Sequence, residues 1–156
     1  MAEERPRTYD VLGNVLKFLT FPSESDGKFS LVEAIVPKGV GAPPNHHAGE
    51  AEAFYVLEGE IGFHLDGQDI VARAGDHIQI PDGAVHAFKG IAGTSRLLIV
   101  NAPGHMHDAF FTGVGTPLPD GATEPLPPEG PPDVPALVAF AASHGMTILA
   151  PEGAPA

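Results

Sequence analysis

The stretch from Gly39 to Gly59, GVGAPPNHHAGEAEAFYVLEG, constrains the fold more than any other part of this 156-residue chain. It opens on Gly39, Gly41, Pro43 and Pro44, passes through Asn45-His46-His47 and the acidic residues Glu50 and Glu52, and ends in Phe54-Tyr55-Val56-Leu57-Glu58-Gly59. An aromatic and β-branched run that stops at a glycine reads as a strand closed by a turn. Residues two apart on a strand share a face. Asn45 and His47 therefore point one way and His46 the other, and on the following strand Glu52, Phe54 and Val56 share a face. If both strands border one cavity, an amide, an imidazole and a carboxylate converge there, a donor set suited to a metal ion.

A second stretch, GDHIQIPDGAVHAFKG at 75–90, supplies a further imidazole. Ile78 and Ile80 alternate with polar residues, as in a half-buried strand. Pro81-Asp82-Gly83 is a turn, and His86 opens the next strand.

With these residues in view, the chain resembles the cupin superfamily. The family's first motif runs glycine, five residues, His-x-His, three or four residues, glutamate, six residues, glycine. Gly39, Asn45-x-His47, Glu52 and Gly59 fall at those spacings. The second motif runs glycine, five residues, Pro-x-Gly, two residues, histidine, three residues, asparagine, and is matched by Gly75, Pro81-x-Gly83, His86 and Gly90. Two positions depart from the pattern: Asn45 stands where the motif has its first histidine, and Gly90 where it has asparagine. Within the family the chain looks most like the single-domain relatives of quercetin dioxygenases. The resemblance implies an all-β fold, the cupin double-stranded β-helix or jelly-roll barrel, over residues 10–112. Residues 113–156 then form a Pro-rich extension with one short C-terminal helix packing on the barrel.

Composition agrees with that class. The chain holds 19 glycines and 17 prolines with 43% hydrophobic residues, which favours short strands joined by turns over a helical bundle. A net charge of −12 argues against nucleic-acid binding. There is no cysteine, so metal ligands must be N or O donors. The N-terminal MAEERPRTYD has no apolar core of a secretion signal, and no apolar run approaches the ~20 residues of a membrane span. A soluble cytoplasmic protein with no membrane partner is the expectation.

Along the chain, residues 1–8 read as charged and loose, Asn14–Thr20 as a strand, and Phe29 to Val36 as another. In cupins such N-terminal strands often pack on a second subunit, so the resemblance implies a homodimer; the alternative is an ordinary strand in its own sheet. Asp66-Gly67 between Glu60–Leu65 and Gln68–Ala72 signals a hairpin. Ser95 to Asn101 reads as a strand buried on both faces. Eight to ten strands follow from this pass. Residues 105–111 read as one helical turn or a loop. Thr116 to Pro135 carries eight prolines in twenty residues and should be extended over the barrel. Asp133 is the expected N-cap of a helix that Gly145 stops.

For the site, the resemblance implies that His47, Glu52 and His86 bind one divalent transition metal (Fe, Mn, Ni, Co, Cu or Zn), with Asn45 as fourth ligand or near neighbour. The alternative is a barrel that has lost its metal and keeps a buried polar network. His46 rivals Asn45 only through a bulge. Glu50 can share the face of Glu52, but Glu52 alone leaves the six-residue gap to Gly59. His64 and His77 read as exposed or edge residues. His105 and His107 form a second His-x-His with no matching carboxylate, expected at the surface or the cavity rim. His144 suits a helix C-terminus. Phe54, Phe63, Phe88, Phe110 and Phe111 are core or pocket wall.

The implied function is a metal-dependent oxygenase, similar to quercetin 2,3-dioxygenase, acting with O2 on an aromatic or enolic small molecule. Glu52 would take the substrate proton, a role that works best if burial raises its pKa. Cupins with this pattern also include isomerases, decarboxylases and hydrolases. The rival class is a non-catalytic module that binds a small ligand or a metal.

Overall fold

The computed structural model describes residues 4–149. Among them run ten strands and two helices: β1 Thr8–Val11, β2 Asn14–Thr20, β3 Ser30–Val36, β4 Gly41–His47, β5 Ala51–Leu65, β6 Gln68–Arg73, β7 His77–Ile80, β8 His86–Ala102, α1 His105–Val114, β9 Thr116–Pro117, α2 Val134–Ser143 and β10 Met146–Ile148. The strands form one antiparallel sheet in the order β10-β4-β8-β3-β2-β1-β9, and β5 pairs with β6, β7 and β8. This is the jelly-roll barrel expected of the motifs.

The long strands β5 and β8 organise it. They pair from Ala51↔Ala102 to Leu65↔His86, with register shifts between Val56 and Ile61. Gly59 lies in that irregular stretch at φ +85°, and a Cβ added there would fall 2.2 Å from Ser95 Oγ. A side chain has no room, so the glycine that closes the first motif lets β5 bend across β8. Asp66 and Gly67 both have positive φ, as a two-residue hairpin with a right-handed twist requires. Leu65 is paired with Gln68 beside them.

The interior is aromatic and aliphatic. Phe18 stacks on Phe21 with ring centroids 4.5 Å apart, and both are fully buried. Phe54, Phe63 and Phe88 form a second ring cluster, with centroids 5.1 to 5.9 Å apart. Burying each such side chain contributes roughly 1.5–3 kcal/mol.

Several expectations need correction. Of residues 1–8, expected to be loose, 1–3 lie outside the described residues, Arg5 and Arg7 pair with Asp108 and Glu24, and Thr8 opens β1, which is joined to β2 by Leu12-Gly13, both at positive φ, with Val11 opposite Asn14. β2 is the strand expected at Asn14–Thr20, and within the chain it lies between β1 and β3 of its own sheet, one of the two arrangements considered for it. Ser95 to Asn101 alternates between buried and half-buried residues, so only one face enters the core. Two α-helices occur among the described residues rather than one, besides a 3-10 turn at Pro22–Ser25. α1 was hidden because Gly104, its N-cap, offers no side chain; its cap comes from elsewhere in the fold, as described below. α2 begins as expected, with Asp133 accepting from Ala136 N at 3.0 Å. After it, β10 pairs with β4, a strand of three residues too short to announce itself. The Pro-rich segment is tied to β1 through Leu118 N to Thr8 O at 2.8 Å and Leu126 N to Asp10 Oδ2 at 2.8 Å.

No helix among the described residues is long and apolar enough to cross a membrane.

Candidate metal centre

Sheet register brings the motif residues together. Asn45 on β4 is opposite His86 on β8, Glu52 on β5 is opposite Asn101 on β8, and His47 is opposite Met146 on β10. All four of Asn45, His47, Glu52 and His86 are buried. His46 pairs with Thr147, is half-buried and stays outside the cluster.

Three imidazoles face the Glu52 carboxylate. His86 Nε2 lies 2.9 Å from Oε1 and His47 Nε2 3.3 Å from the same oxygen. The third is His107, whose Nε2 is 3.2 Å from Oε2. The rings of His86 and His107 stand nearly perpendicular to that of His47, with centroids 5.2 and 4.7 Å from it. Asn101 Nδ2 donates to Glu52 Oε2 at 3.0 Å. Donor atoms of His47, Glu52 and His107 all lie within 4.8 Å of one another. Imidazole nitrogens and a carboxylate gathered in a dry site are a donor set that fits a divalent transition metal.

His107 was expected at the surface or rim without a carboxylate, and that expectation is overturned: it is 3% exposed, while His105 of the same pair is exposed. Its carboxylates are Glu50 and Glu52. Glu50 Oε1 is 2.5 Å from His107 Nδ1 and accepts the His107 backbone N–H at 3.0 Å; Oε2 accepts from Gly104 N at 2.9 Å and Met106 N at 3.2 Å. Glu50 thus caps α1 from 54 positions earlier in the chain. Negative charge there also meets the positive end of the helix dipole.

Asn45 has its amide nitrogen committed to main-chain carbonyls, Pro43 O at 2.9 Å and His86 O at 3.3 Å. The amide oxygen is the atom left for the pocket. His64 is exposed and pairs with Asp69 at 2.8 Å, His77 is exposed, and His144 caps α2, all as expected.

The electrostatics differ from expectation at Glu52. Burial pushes its pKa up, but the charge and hydrogen bond of His107 and the bonds from His47 and His86 outweigh it, holding the carboxyl well below its usual range. Glu50 is also lowered: burial opposes ionisation, and the His107 bond and charge with the helix N–H donors overcome it. His107 is raised to about 9, because the two carboxylates outweigh its burial. His86 is raised against burial by Glu52 and by its Nδ1 contact with Ala84 O at 2.8 Å. A carboxylate so held is ionised and a weak base.

Beside the cluster is an apolar pocket whose wall includes Leu16, Phe54, Phe88, Ile99, Phe110 and Phe111, with Asn45, Glu52, His86 and His107 as its polar part.

A family model described as Cupin domain matches residues 31–101. The chain is 31% identical over 105 residues to quercetin 2,3-dioxygenase of Bacillus subtilis (strain 168), covering 67% of this chain and 31% of that protein. It spans about a third of that relative's length. Among solved structures, a predicted oxalate decarboxylase from Thermotoga maritima superposes with TM-score 0.55 at 25% identity, over 57% of this chain and 79% of that one. An RmlC-like cupin from Shewanella frigidimarina superposes with TM-score 0.57 at 23% identity, over 67% and 90%. Motif spacing, barrel and relatives agree: the chain belongs to the cupin superfamily.

Proposed function

We propose that this cupin is a metal-dependent enzyme for a small molecule, an oxygenase resembling quercetin 2,3-dioxygenase that acts with O2 on an aromatic or enolic substrate. The observation that carries the reading is the convergence of three buried imidazole nitrogens on the one Glu52 carboxylate beside an apolar, phenylalanine-lined pocket. Likeness to the Bacillus dioxygenase supports the reaction class.

His47, Glu52 and His86 from the two motifs would hold the ion, with His107 as a further imidazole donor beside Asn45. A divalent Fe, Mn, Ni, Co, Cu or Zn bound there supplies Lewis acidity toward a substrate oxygen. Asn45, with its amide oxygen free of the contacts above, accepts a hydrogen bond from a substrate hydroxyl. Phe54, Phe88, Phe110 and Phe111 pack against the ring and exclude water. Glu52, the carboxylate that lines the pocket, would receive the substrate proton. The enzyme acts as a homodimer in the cytoplasm.

A second reading has one observation in its favour. His107 bridges Glu50 and Glu52 as a paired cation that stands without any ion, as a non-catalytic ligand-binding cupin requires. Oxygen uptake with flavonols and catechols, on protein loaded with each metal, separates the two. Turnover with any of them supports the oxygenase; binding without oxygen consumption supports the module.

A further inference from the structure

We infer that Glu50 is a positioning residue of the metal centre: it fixes which nitrogen of His107 faces the ion and ties helix α1, with the aromatic pocket wall it carries, to that ion. The inference rests on the metal-centre reading above.

The three imidazoles are held differently. His86 has its Nδ1 on the Ala84 carbonyl at 2.8 Å, which selects Nδ1–H and leaves Nε2 for the site. His47 Nδ1 is buried with no hydrogen-bond partner among the described residues. His107 alone of the three has a carboxylate behind it, Glu50 Oε1 at 2.5 Å from Nδ1. A carboxylate only accepts, so Nδ1 carries a proton toward Glu50 and is turned away from the site, while Nε2, which donates to Glu52 Oε2 at 3.2 Å without an ion, is the nitrogen turned toward it. Carboxylate–histidine–metal arrangements of this kind set ring orientation and raise ligand basicity.

The same carboxylate also holds the backbone of the helix. Gly104 cannot cap α1 with a side chain, and Glu50 accepts the N–H groups of Gly104, Met106 and His107 instead. Phe110 and Phe111 follow one turn later on the same helix, and both line the pocket. His107 and Phe111 rings are in contact, with centroids 5.6 Å apart. One carboxylate therefore sets a ligand atom, the helix register and the pocket wall together. Neither motif of the family reaches α1.

A cap acts on the helix whether or not residue 107 is histidine, whereas a positioning residue acts through the ring. Zn(II) affinity measured by competition with a chelating dye distinguishes them in a cycle of wild type, Glu50→Gln, His107→Ala and the double variant. We expect Glu50→Gln to weaken Zn(II) binding about 10–100-fold in the wild-type background and hardly at all in the His107→Ala background. Equal losses in both backgrounds, or no loss in either, overturn the inference while leaving the metal centre intact. Absence of Zn(II) uptake by wild type overturns both. A measurement on the unaltered protein guards against variants that fail to fold. In ¹⁵N-histidine spectra of the Zn(II)-loaded chain, His107 should carry its proton on Nδ1 and the metal on Nε2. A proton on Nε2 overturns the assignment.

Discussion

His107 Nε2 stands 3.2 Å from Glu52 Oε2, although the two residues come from a helix and a strand 55 positions apart. This contact joins an element outside both cupin motifs to the acid at the centre of the first. It explains how a chain with asparagine at the first motif position still gathers three imidazoles around one carboxylate.

Replacing His107 should therefore weaken metal retention more than replacing Asn45. His107→Ala removes a donor, and its cost should exceed the roughly 10–100-fold typical of changes outside the ligand set. Asn45→Ala removes bonds to two carbonyls and should cost about 0.5–1.5 kcal/mol per bond in stability with affinity little changed. Metal titrations of both variants decide; greater loss from Asn45→Ala would return that residue to the ligand set.

Glu50→Ala should destabilise the metal-stripped protein by about 3–5 kcal/mol, because it strands a buried imidazolium and three backbone donors. Denaturant unfolding measures it. A loss under about 1 kcal/mol would mean that the pair contributes little net stability.

The stability of the metal-stripped protein should depend on pH with two limbs. Glu50 and Glu52 have folded pKa values below the ordinary 4.5 of a glutamate, so their contribution is present above about pH 4.5 and disappears as pH falls. His107 rises from 6.5 to about 9, so its contribution is complete below about pH 6.5 and is lost as pH climbs through about 9. His86, also raised, acts in the same direction. Thermal melts should peak between roughly pH 5 and 6.5. Adding Zn(II) should flatten the alkaline limb, since the ion replaces a proton. A melting temperature unchanged from about pH 6 to 9 would contradict the assignment of charge to His107.

Glycines in the motif region should differ sharply in tolerance. A Cβ on Gly41 would fall 1.9 Å from the Phe88 carbonyl oxygen, where β4 pairs with β8, so Gly41→Ala should disrupt the strand that carries Asn45 and His47. Gly75 has φ +91° but nothing within 4 Å of an added Cβ, so Gly75→Ala should cost only about 1–2 kcal/mol of backbone strain. Comparable melting temperatures for the two would contradict this packing.

The barrel and most of its site were legible in the chain because they obey local rules. Alternation on β4 and β5 aimed Asn45, His47 and Glu52 inward, and Pro81-x-Gly83 delivered His86. The Asp66-Gly67 hairpin and the Asp133 cap were equally local signals. What stayed hidden depends on distant partners. α1 has no side-chain cap of its own, so its start could not be seen without Glu50. His107 looked like half of a surface pair for the same reason. Asn101, which donates to Glu52, reads in sequence only as the end of an apolar strand. One clue was present: Glu50 beside Glu52 left an acid without a partner, and a buried carboxylate requires one.

The central claim is that these imidazoles and Glu52 hold a divalent transition metal. Metal analysis of protein purified after growth with supplied metals tests it most directly. The account predicts about one equivalent per chain, lost on His86→Ala. Less than about a tenth of an equivalent in the wild type, or full occupancy in His86→Ala, would contradict it.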